Sequence, residues 1–243
     1  MALTTIQAWK YSLSVFARNL LFSVRRPFAA WAKPIVAAPG ESIPADASIA
    51  WLRDYIGQPH PDLGRKGDIC PFVNTALDHN RMRFHVHDRV REIRAEQLSD
   101  LFIYEGLRLI ERLDTEHKDA ELTTVVLLFP TMDPACHAAI HDAHTRCKST
   151  LMRNGLMIAV FYPGYDRPAI YNPSFKLYQA PFPTATIRPM ALHDIVFLDR
   201  NAEGFAEYHR RFVARYRAGK VSEKFGYIER FADAEKRFNL TTS

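Results

Sequence analysis

A cysteine followed by a proline lies in the stretch of the chain that is richest in unusual backbone residues. Residues 57–73, GQPHPDLGRKGDICPFV, contain three prolines and three glycines. Such a run forms neither a regular helix nor a central strand, because proline lacks an amide donor and fixes φ while glycine permits unusual backbone angles. We predict a stiff, irregular loop that presents His60, Arg65 and Cys70, which is a common way to build a site.

The chemistry of Cys70 depends on whether its thiol ionises. A thiolate can be a nucleophile or a metal ligand, and nearby positive charge favours it. Arg65 is close in sequence, and His60 is a candidate base for a nucleophilic role. A Cys-Pro pair is also a context in which a thiolate binds haem iron and supports O₂ or peroxide chemistry. The third interpretation is a structural cysteine packed beside Phe72. We treat Cys70, His60 and Arg65 as candidate catalytic residues and leave the three roles of the thiol open.

Three histidines follow Pro134 at helical spacing. His137, His141 and His144 share one face of the predicted helix, and such a row can hold zinc or haem iron. No HExxH motif accompanies them, so no glutamate stands where a water-activating base would be expected. The structural alternative is an exposed row of histidines at the rim of the helix.

Aromatic and cationic residues cluster after the apolar segment 156–162. Ligands often bind where buried strands end, and two arginines can hold a carboxylate or phosphate in a bidentate manner. The candidate substrate-binding residues are Tyr162, Tyr165, Arg167, Asn172 and Arg188. Turn formation and loop packing would explain the same residues without a ligand.

The hydrophobic pattern predicts the elements that must position these side chains. The predicted strands are residues 81–88, 123–129, 156–162 and 184–188, and the main predicted helices are residues 97–111, 134–154, 202–218 and 222–238. This order predicts an α+β fold with a single sheet, helices packed on one face and a ferredoxin-like central part. In the first strand, His85 and His87 share the face opposite Phe84, where we expect a solvated polar surface.

The beginning of the chain differs in composition from the remainder. Residues 1–40 contain five basic residues and no acidic one, and residues 4–26 carry one apolar stripe at helical spacing. We predict three parts: a basic amphipathic helix at 1–33, a linker at 34–48 and a single α+β domain at 49–243. The helix has three interpretations: it docks on the domain or on a partner, it lies on a membrane surface, or it is a transit peptide.

Composition excludes several classes of protein. The formal charge is +5, but beyond residue 40 the chain has 27 basic and 27 acidic residues, which argues against a nucleic-acid-binding domain. The three cysteines form no CxxC pair, so free thiols in a reducing compartment, hence the cytoplasm, are expected. The chain lacks a GxGxxG fingerprint, a phosphate-binding P-loop and a GxSxG elbow.

Five segments of the chain resemble a bacterial family of unknown function. They are HPDLGRKGDICPF, GLMIAVFYPG, YNPSF, APFPTATIRPM and HDIVFL. The family pattern runs roughly His-Pro-x-Leu-Gly-Arg, Cys-Pro-Phe, a Gly-Leu-Met strand, Asn-Pro-x-Phe, and a Pro-rich strand before Asp-x-x-Phe-Leu. A second family of unknown function is distantly similar through its Cys-Pro-Phe element. The resemblance covers about residues 51–240 and implies no reaction. At residues 177–179 the chain has Leu-Tyr-Gln where an Arg-Pro-Leu-like segment is expected, which implies a different ligand if that arginine binds one.

These observations predict a cytoplasmic enzyme of bacterial, specialised small-molecule metabolism. Its pocket is expected between the Pro/Gly loop and the residues around Tyr162, Asn172 and Arg188, and its chemistry would be that of a haem-thiolate oxidoreductase or a cysteine-dependent transferase or hydrolase. The alternative is a non-catalytic ligand-binding or interaction protein, tethered to a membrane surface or partner by residues 4–26.

Overall fold

The structure, a computed structural model, describes residues 35–37, 40, 42–113 and 120–240. The helix predicted for residues 4–26 lies outside these ranges. The strands are β1 Ile35–Ala37, β2 Met82–Val86, β3 Thr124–Leu128, β4 Leu156–Phe161 and β5 Thr184–Pro189. The α-helices are α1 Ile43–Trp51, α2 Val73–Asp78, α3 Ala95–Leu113, α4 His137–Arg153, α5 Ile195–Leu198, α6 Ala202–Arg217 and α7 Tyr227–Arg237.

The five strands form one mixed sheet in the order β1-β2-β3-β5-β4. β2 and β3 are parallel neighbours connected through α3, whereas β5 runs antiparallel to both β3 and β4 and lies between them. β3, α4 and β4, with β5 inserted, therefore make a split βαβ unit, as in ferredoxin-like folds. The α+β class is confirmed. The departure from a ferredoxin-like sheet is β2, which is parallel to its neighbour β3.

Both faces of the sheet are covered. α3 and α4 pack on one face, where Val125, Leu127 and Ile187 join their apolar side chains. The alternate residues, among them Phe84 and Val126, face α1, α2 and a π-helical turn at Leu52–Ile56. The long helices thus lie on one face as predicted, but the short helices cover the other. Burial on both faces explains why residues 123–129 read as one continuous apolar run.

The predicted linker at residues 34–48 contains regular structure. Ile35–Ala37 pairs with β2, and α1 begins at Ile43. The Ser42 side chain accepts a hydrogen bond from the Ala45 amide at 3.2 Å, and Pro44 lies in the first turn of the helix. Regular structure therefore occurs within the segment predicted as a linker: Pro44 lies in the first turn of α1, where a missing amide donor costs nothing, and Ser42 is the cap of that helix.

The C-terminal helices form a third apolar cluster next to the start of β4. Phe205, Tyr208 and Phe231 pack together with Met152 and Met157. In the ranges that the structure describes, no helix is both long enough and apolar enough to cross a bilayer.

His85 and His87 lie in the core, not on a solvated face. His85 is 2% exposed and His87 is 3% exposed, because both lie beneath α3. Nδ1 of His85 is 3.1 Å from Oε2 of Glu105, and the His87 ring stacks on Phe129. The expectation of a solvated polar face is wrong, because α3 covers the face on which both histidines point. Burial lowers the pKa of His87 to about 4.

This burial predicts a loss of stability in mild acid. Unfolded His87 binds a proton near its ordinary pKa of 6.5, but the folded form resists protonation until about pH 4, so the free energy of unfolding falls as the pH drops through this window. The loss from His87 is a few kcal/mol at most, since one pKa unit is worth about 1.4 kcal/mol. Urea unfolding between pH 7.5 and 4.5 should show a shallower decline in His87→Phe than in the wild type. His79→Phe, at an exposed position, is the control; identical curves for wild type and His87→Phe would contradict the prediction.

Candidate functional site

A buried ion pair at the end of β5 is the centre of the candidate site. The Arg188 guanidinium donates to both carboxylate oxygens of Asp194, at 2.6 and 2.8 Å. The Asp194 side chain has no solvent exposure and also accepts a hydrogen bond from the Ala191 amide at 2.8 Å. Burial acts to raise the pKa of Asp194, but the charge and hydrogen bonds of Arg188 outweigh it and hold this pKa below its usual range. Both partners are therefore charged at neutral pH.

The ion pair fixes the ring of His193 in one tautomer. Nη2 of Arg188 lies 3.2 Å from Nε2 of His193. Nε2 also lies 3.4 Å from Oδ1 of Asp194, but no hydrogen bond forms there. Since a guanidinium only donates, Nε2 is the acceptor from Arg188, and we assign the ring proton to Nδ1. Burial lowers the pKa of His193 to about 4, and the charges of Arg188 and Arg65 act in the same direction against that of Asp194. Nδ1 is buried and has no hydrogen-bond partner among the described residues. His193 is thus a neutral ring with one unused donor.

Cys70 and Phe72 approach the ion pair from the Pro/Gly loop. The Phe72 ring centroid is 4.4 Å from that of His193 and 5.3 Å from Cζ of Arg188. The Cys70 amide donates to the Ile56 carbonyl at 2.8 Å, which fixes the loop against the π-helical turn. Burial raises the pKa of the Cys70 thiol, and the opposing charge of Arg188, itself paired with Asp194, does not reverse this. The resting side chain is a neutral thiol, and Arg188 lies close enough to influence it.

His60 and Asn172 position the Pro/Gly loop. Nδ1 of His60 accepts a hydrogen bond from the Asp62 amide at 3.1 Å, and its ring stacks on Phe175 with centroids 4.3 Å apart. Asn172 donates to the Asp62 carbonyl at 2.7 Å. The contacts of His60 are those of a residue that holds the loop, and they give its predicted role as a base no support.

Gly64 lets the two loops come close together. Its φ is +77°, and a Cβ at this position would lie 2.7 Å from the Tyr171 carbonyl oxygen, so both backbone angle and space require glycine. Next to it, Arg65 donates to the carbonyls of Lys66, Asp68 and Ile69 and forms no ion pair with a described carboxylate. Its charge acts on His193 and is not neutralised. We call Arg65, Cys70, Phe72, Arg188, His193 and Asp194 the motif cluster.

The remaining predicted residues lie in a different place. Arg188 pairs in register with Met157 at the start of β4, whereas Tyr162 follows the end of that strand. Five residues of strand separate Met157 from Tyr162, which corresponds to roughly 17 Å. Arg188 also points to the opposite face of the sheet from Ile187, which faces α3 and α4. Of the residues predicted to line one pocket with the Pro/Gly loop, Asn172 and Arg188 lie at that loop, whereas Tyr162 lies toward the other end of β4.

The second site lies beside β4, an edge strand of the sheet. Nδ1 of His141 is 2.6 Å from the Tyr165 hydroxyl, and the Tyr162 and Tyr165 rings stack at 4.2 Å. We call this set the edge cluster: His137, His141, His144, Lys148, Tyr162, Tyr165, Arg167 and Tyr178. Within the described ranges, no three His, Cys, Asp or Glu side chains have a metal-binding arrangement. The contacts of His141 are those of a packed aromatic layer.

Three important residues were missed by sequence reasoning. His193 and Asp194 stand in the HDIVFL segment, which was noted only as a family marker, and Lys148 carries no sequence signal beyond its place one helical turn after His144. The available signal for the first two was a His-Asp pair directly after an arginine-bearing strand.

Residues 45–223 match a family model described as Domain of unknown function (DUF6875). The chain belongs to this family. The match covers well over half of the 243 residues and includes all of the motif cluster and all of the edge cluster. The predicted resemblance to a family without an established activity is confirmed. No curated protein and no solved structure is detectably similar to the chain.

The raised pKa of Cys70 predicts slow alkylation at neutral pH. We expect its rate with iodoacetamide to keep rising above pH 9, beyond the point where an unstructured cysteine of pKa about 8.5 levels off. Mass spectrometry of the labelled peptides between pH 6.5 and 10 measures the rate for each cysteine. Cys147 is the internal control, because it is fully buried with a pKa of about 12 and should remain unlabelled in the folded chain. A plateau for Cys70 below pH 8 would show a resting thiolate and contradict this prediction.

Proposed function

We propose that this chain is a small-molecule enzyme and that the motif cluster is its active site. The observation that carries the proposal is that three family-marker segments come together: residues 60–72 contact the buried ion pair of residues 188–198 through Phe72, and residues 171–175 contact residues 60–64. These segments are far apart in sequence and belong to different elements. A stable core does not require polar and ionisable groups from so many segments at one point, whereas an active site does.

The buried ion pair itself favours a functional interpretation. Replacing such a pair by well-packed apolar residues is often neutral or stabilising, so its presence is weak evidence of a role in stability. In this chain, burial keeps His193 neutral, and the contact between Arg188 and Nε2 leaves Nδ1 as the donor. A neutral histidine in a fixed tautomer can polarise a substrate carbonyl or stabilise a developing oxyanion. We assign this role to Nδ1 of His193.

The charge of the site favours an anionic substrate. Arg65 has no carboxylate partner among the described residues. It lies close enough to Tyr227 for its charge to act on the pKa of that hydroxyl, as do Tyr171 and Asp194. With Arg188 neutralised by Asp194, the unbalanced charge at the motif cluster is that of Arg65. A small molecule with a carboxylate or phosphate group would balance it.

Cys70 is the proposed reacting group, either as a nucleophile or as a haem ligand. Both roles need the thiolate, so the proton of the resting thiol must leave when the substrate or the iron binds. Cys70, Cys136 and Cys147 are all free thiols, which supports a reducing compartment and hence the proposed cytoplasmic location.

Ligand retention tests the proposed site. The full chain is equilibrated with a mixture of small carboxylates and phosphate esters, and the retained compounds are identified by ultrafiltration and mass spectrometry. We expect some of the anionic compounds that the wild type enriches to be retained at least tenfold less by His193→Phe and Arg65→Gln, while compounds bound elsewhere on the chain are unaffected. Arg53→Gln is the matched control, because Arg53 is an exposed arginine paired with Asp78 at 3.0 Å. Equal retention by wild type, His193→Phe and Arg65→Gln would refute the proposal.

An absorption spectrum separates the two roles of Cys70. Protein from iron-supplemented cells that shows a Soret band, shifted in Cys70→Ser, would establish a haem thiolate. A spectrum without a Soret band leaves the covalent role, for which Cys70→Ser should abolish turnover of the retained compound while Cys136→Ser does not. If Cys70→Ser changes neither cofactor content nor turnover, both roles fail.

A further inference from the structure

The edge cluster contains two partly buried cations that lack a counter-ion. Lys148 on α4 and Arg167 in the loop after β4 form no ion pair with any described carboxylate, and the neighbouring Asp166 is paired with Lys176 at 2.9 Å. Cζ of Arg167 lies 5.1 Å from the centre of the Tyr178 ring. Burial lowers the pKa of Lys148, and the charge of Arg167 lowers it further, so the two cations are close enough to repel each other. Partly buried like charges are unfavourable unless an anion compensates them.

A buried acceptor without a partner lies next to these cations. His144, one helical turn before Lys148, is 5% exposed, and its Nδ1 makes no hydrogen bond with any described residue. We assign the ring proton to Nε2, because Nδ1 has no described acceptor to which it could donate, and because a lone pair is favoured over an N–H next to the positive charges of Lys148 and Arg167. Burial lowers the pKa of His144 to about 3, assisted by Lys148 and Arg167, so the ring is neutral. Nδ1 therefore carries a lone pair that can accept a hydrogen bond.

Protection of the edge strand does not account for this arrangement. Charged side chains beside an edge strand prevent its pairing with other chains, and β4 is such a strand. Solvated lysines and arginines are sufficient for that purpose. A nearly fully buried, unpartnered nitrogen adds nothing to it and costs free energy, because buried polar atoms are normally paired.

We propose that the edge cluster binds a small oxyanion that also carries a hydroxyl proton, such as hydrogen phosphate or a 2-hydroxy acid. Lys148 and Arg167 hold the anionic oxygens, and Nδ1 of His144 accepts the hydroxyl proton in a hydrogen bond. The site is separate from the motif cluster, which lies toward the other end of β4 on the opposite face of the sheet. It therefore does not depend on the proposed function.

Inorganic phosphate and sulfate are the probes for the first test. The two ions have the same shape, but at pH 7 only phosphate carries a proton. Isothermal titration calorimetry of the full chain should show phosphate binding at least tenfold more tightly than sulfate. His144→Phe should reduce this ratio to about one, because it removes the acceptor and keeps a ring of similar size. Equal affinities for the two ions in the wild type, or no binding of either, would overturn the proposal.

Charge-removing variants form the second test. Lys148→Gln and Arg167→Gln should each weaken phosphate binding at least tenfold. Arg146→Gln is the matched control, since Arg146 lies on the same helix, is exposed and is paired with Glu96 at 2.9 Å. Thermal unfolding of each variant confirms that the chain is folded. Unchanged phosphate affinity in folded Lys148→Gln and Arg167→Gln, or an equal loss in Arg146→Gln, would show general electrostatic attraction and refute the site.

Discussion

The Arg188–Asp194 ion pair is the interaction on which the motif cluster depends. Arg188 is the penultimate residue of β5, and its guanidinium also donates to the Pro189 carbonyl, so the pair fixes the turn that leaves the sheet. The same turn is held from the other side by the Tyr208 hydroxyl, which donates to the Leu192 carbonyl at 2.6 Å. Removing one partner would leave an uncompensated buried charge at a cost of roughly 3–5 kcal/mol. The pair thus joins the sheet, the histidine and the C-terminal helices.

The sheet keeps the two candidate sites apart. One side of β5 presents Arg188 to Cys70 and Phe72, while the other side presents Ile187 to the core under α3 and α4. The edge cluster lies beside that second core, where Tyr162 and Tyr178 pack against it. His144 and Lys148 belong to α4, which covers one face of the sheet, whereas Arg188 points to the other face. Tyr178 packs against the core under α4 and also against the apolar cluster that contains Leu63 of the Pro/Gly loop, so the loop between β4 and β5 connects the two clusters directly.

The sequence predicts the helices and strands better than it predicts which of them pack or pair with one another. Strong apolar runs identify β3 and β4, and the stiff loop that carries Arg65 and Cys70 does lie at the motif cluster. Whether Arg188 lies near Arg167 depends instead on the position of β5 in the sheet. That position is set by long-range strand pairing, which leaves no local signal in the sequence. The burial of His85 has the same origin, since alternation along a strand does not tell which face a helix will cover. Lys148 reads as an ordinary solvated helix residue until its neighbours are known.

The position of β5 determines when the sheet can be completed during synthesis. β3 and β4 are made first, but they do not pair with each other; the space between them belongs to a strand that leaves the ribosome later, after the loop that follows β4. Until then, one edge of β3 has unpaired amides and carbonyls, and the apolar side chains of residues 125–128, which are buried in the folded protein, are still uncovered. The nascent chain therefore has an unpaired, aggregation-prone edge on β3 until β5 is made. We expect chaperones to bind the chain mainly during that interval.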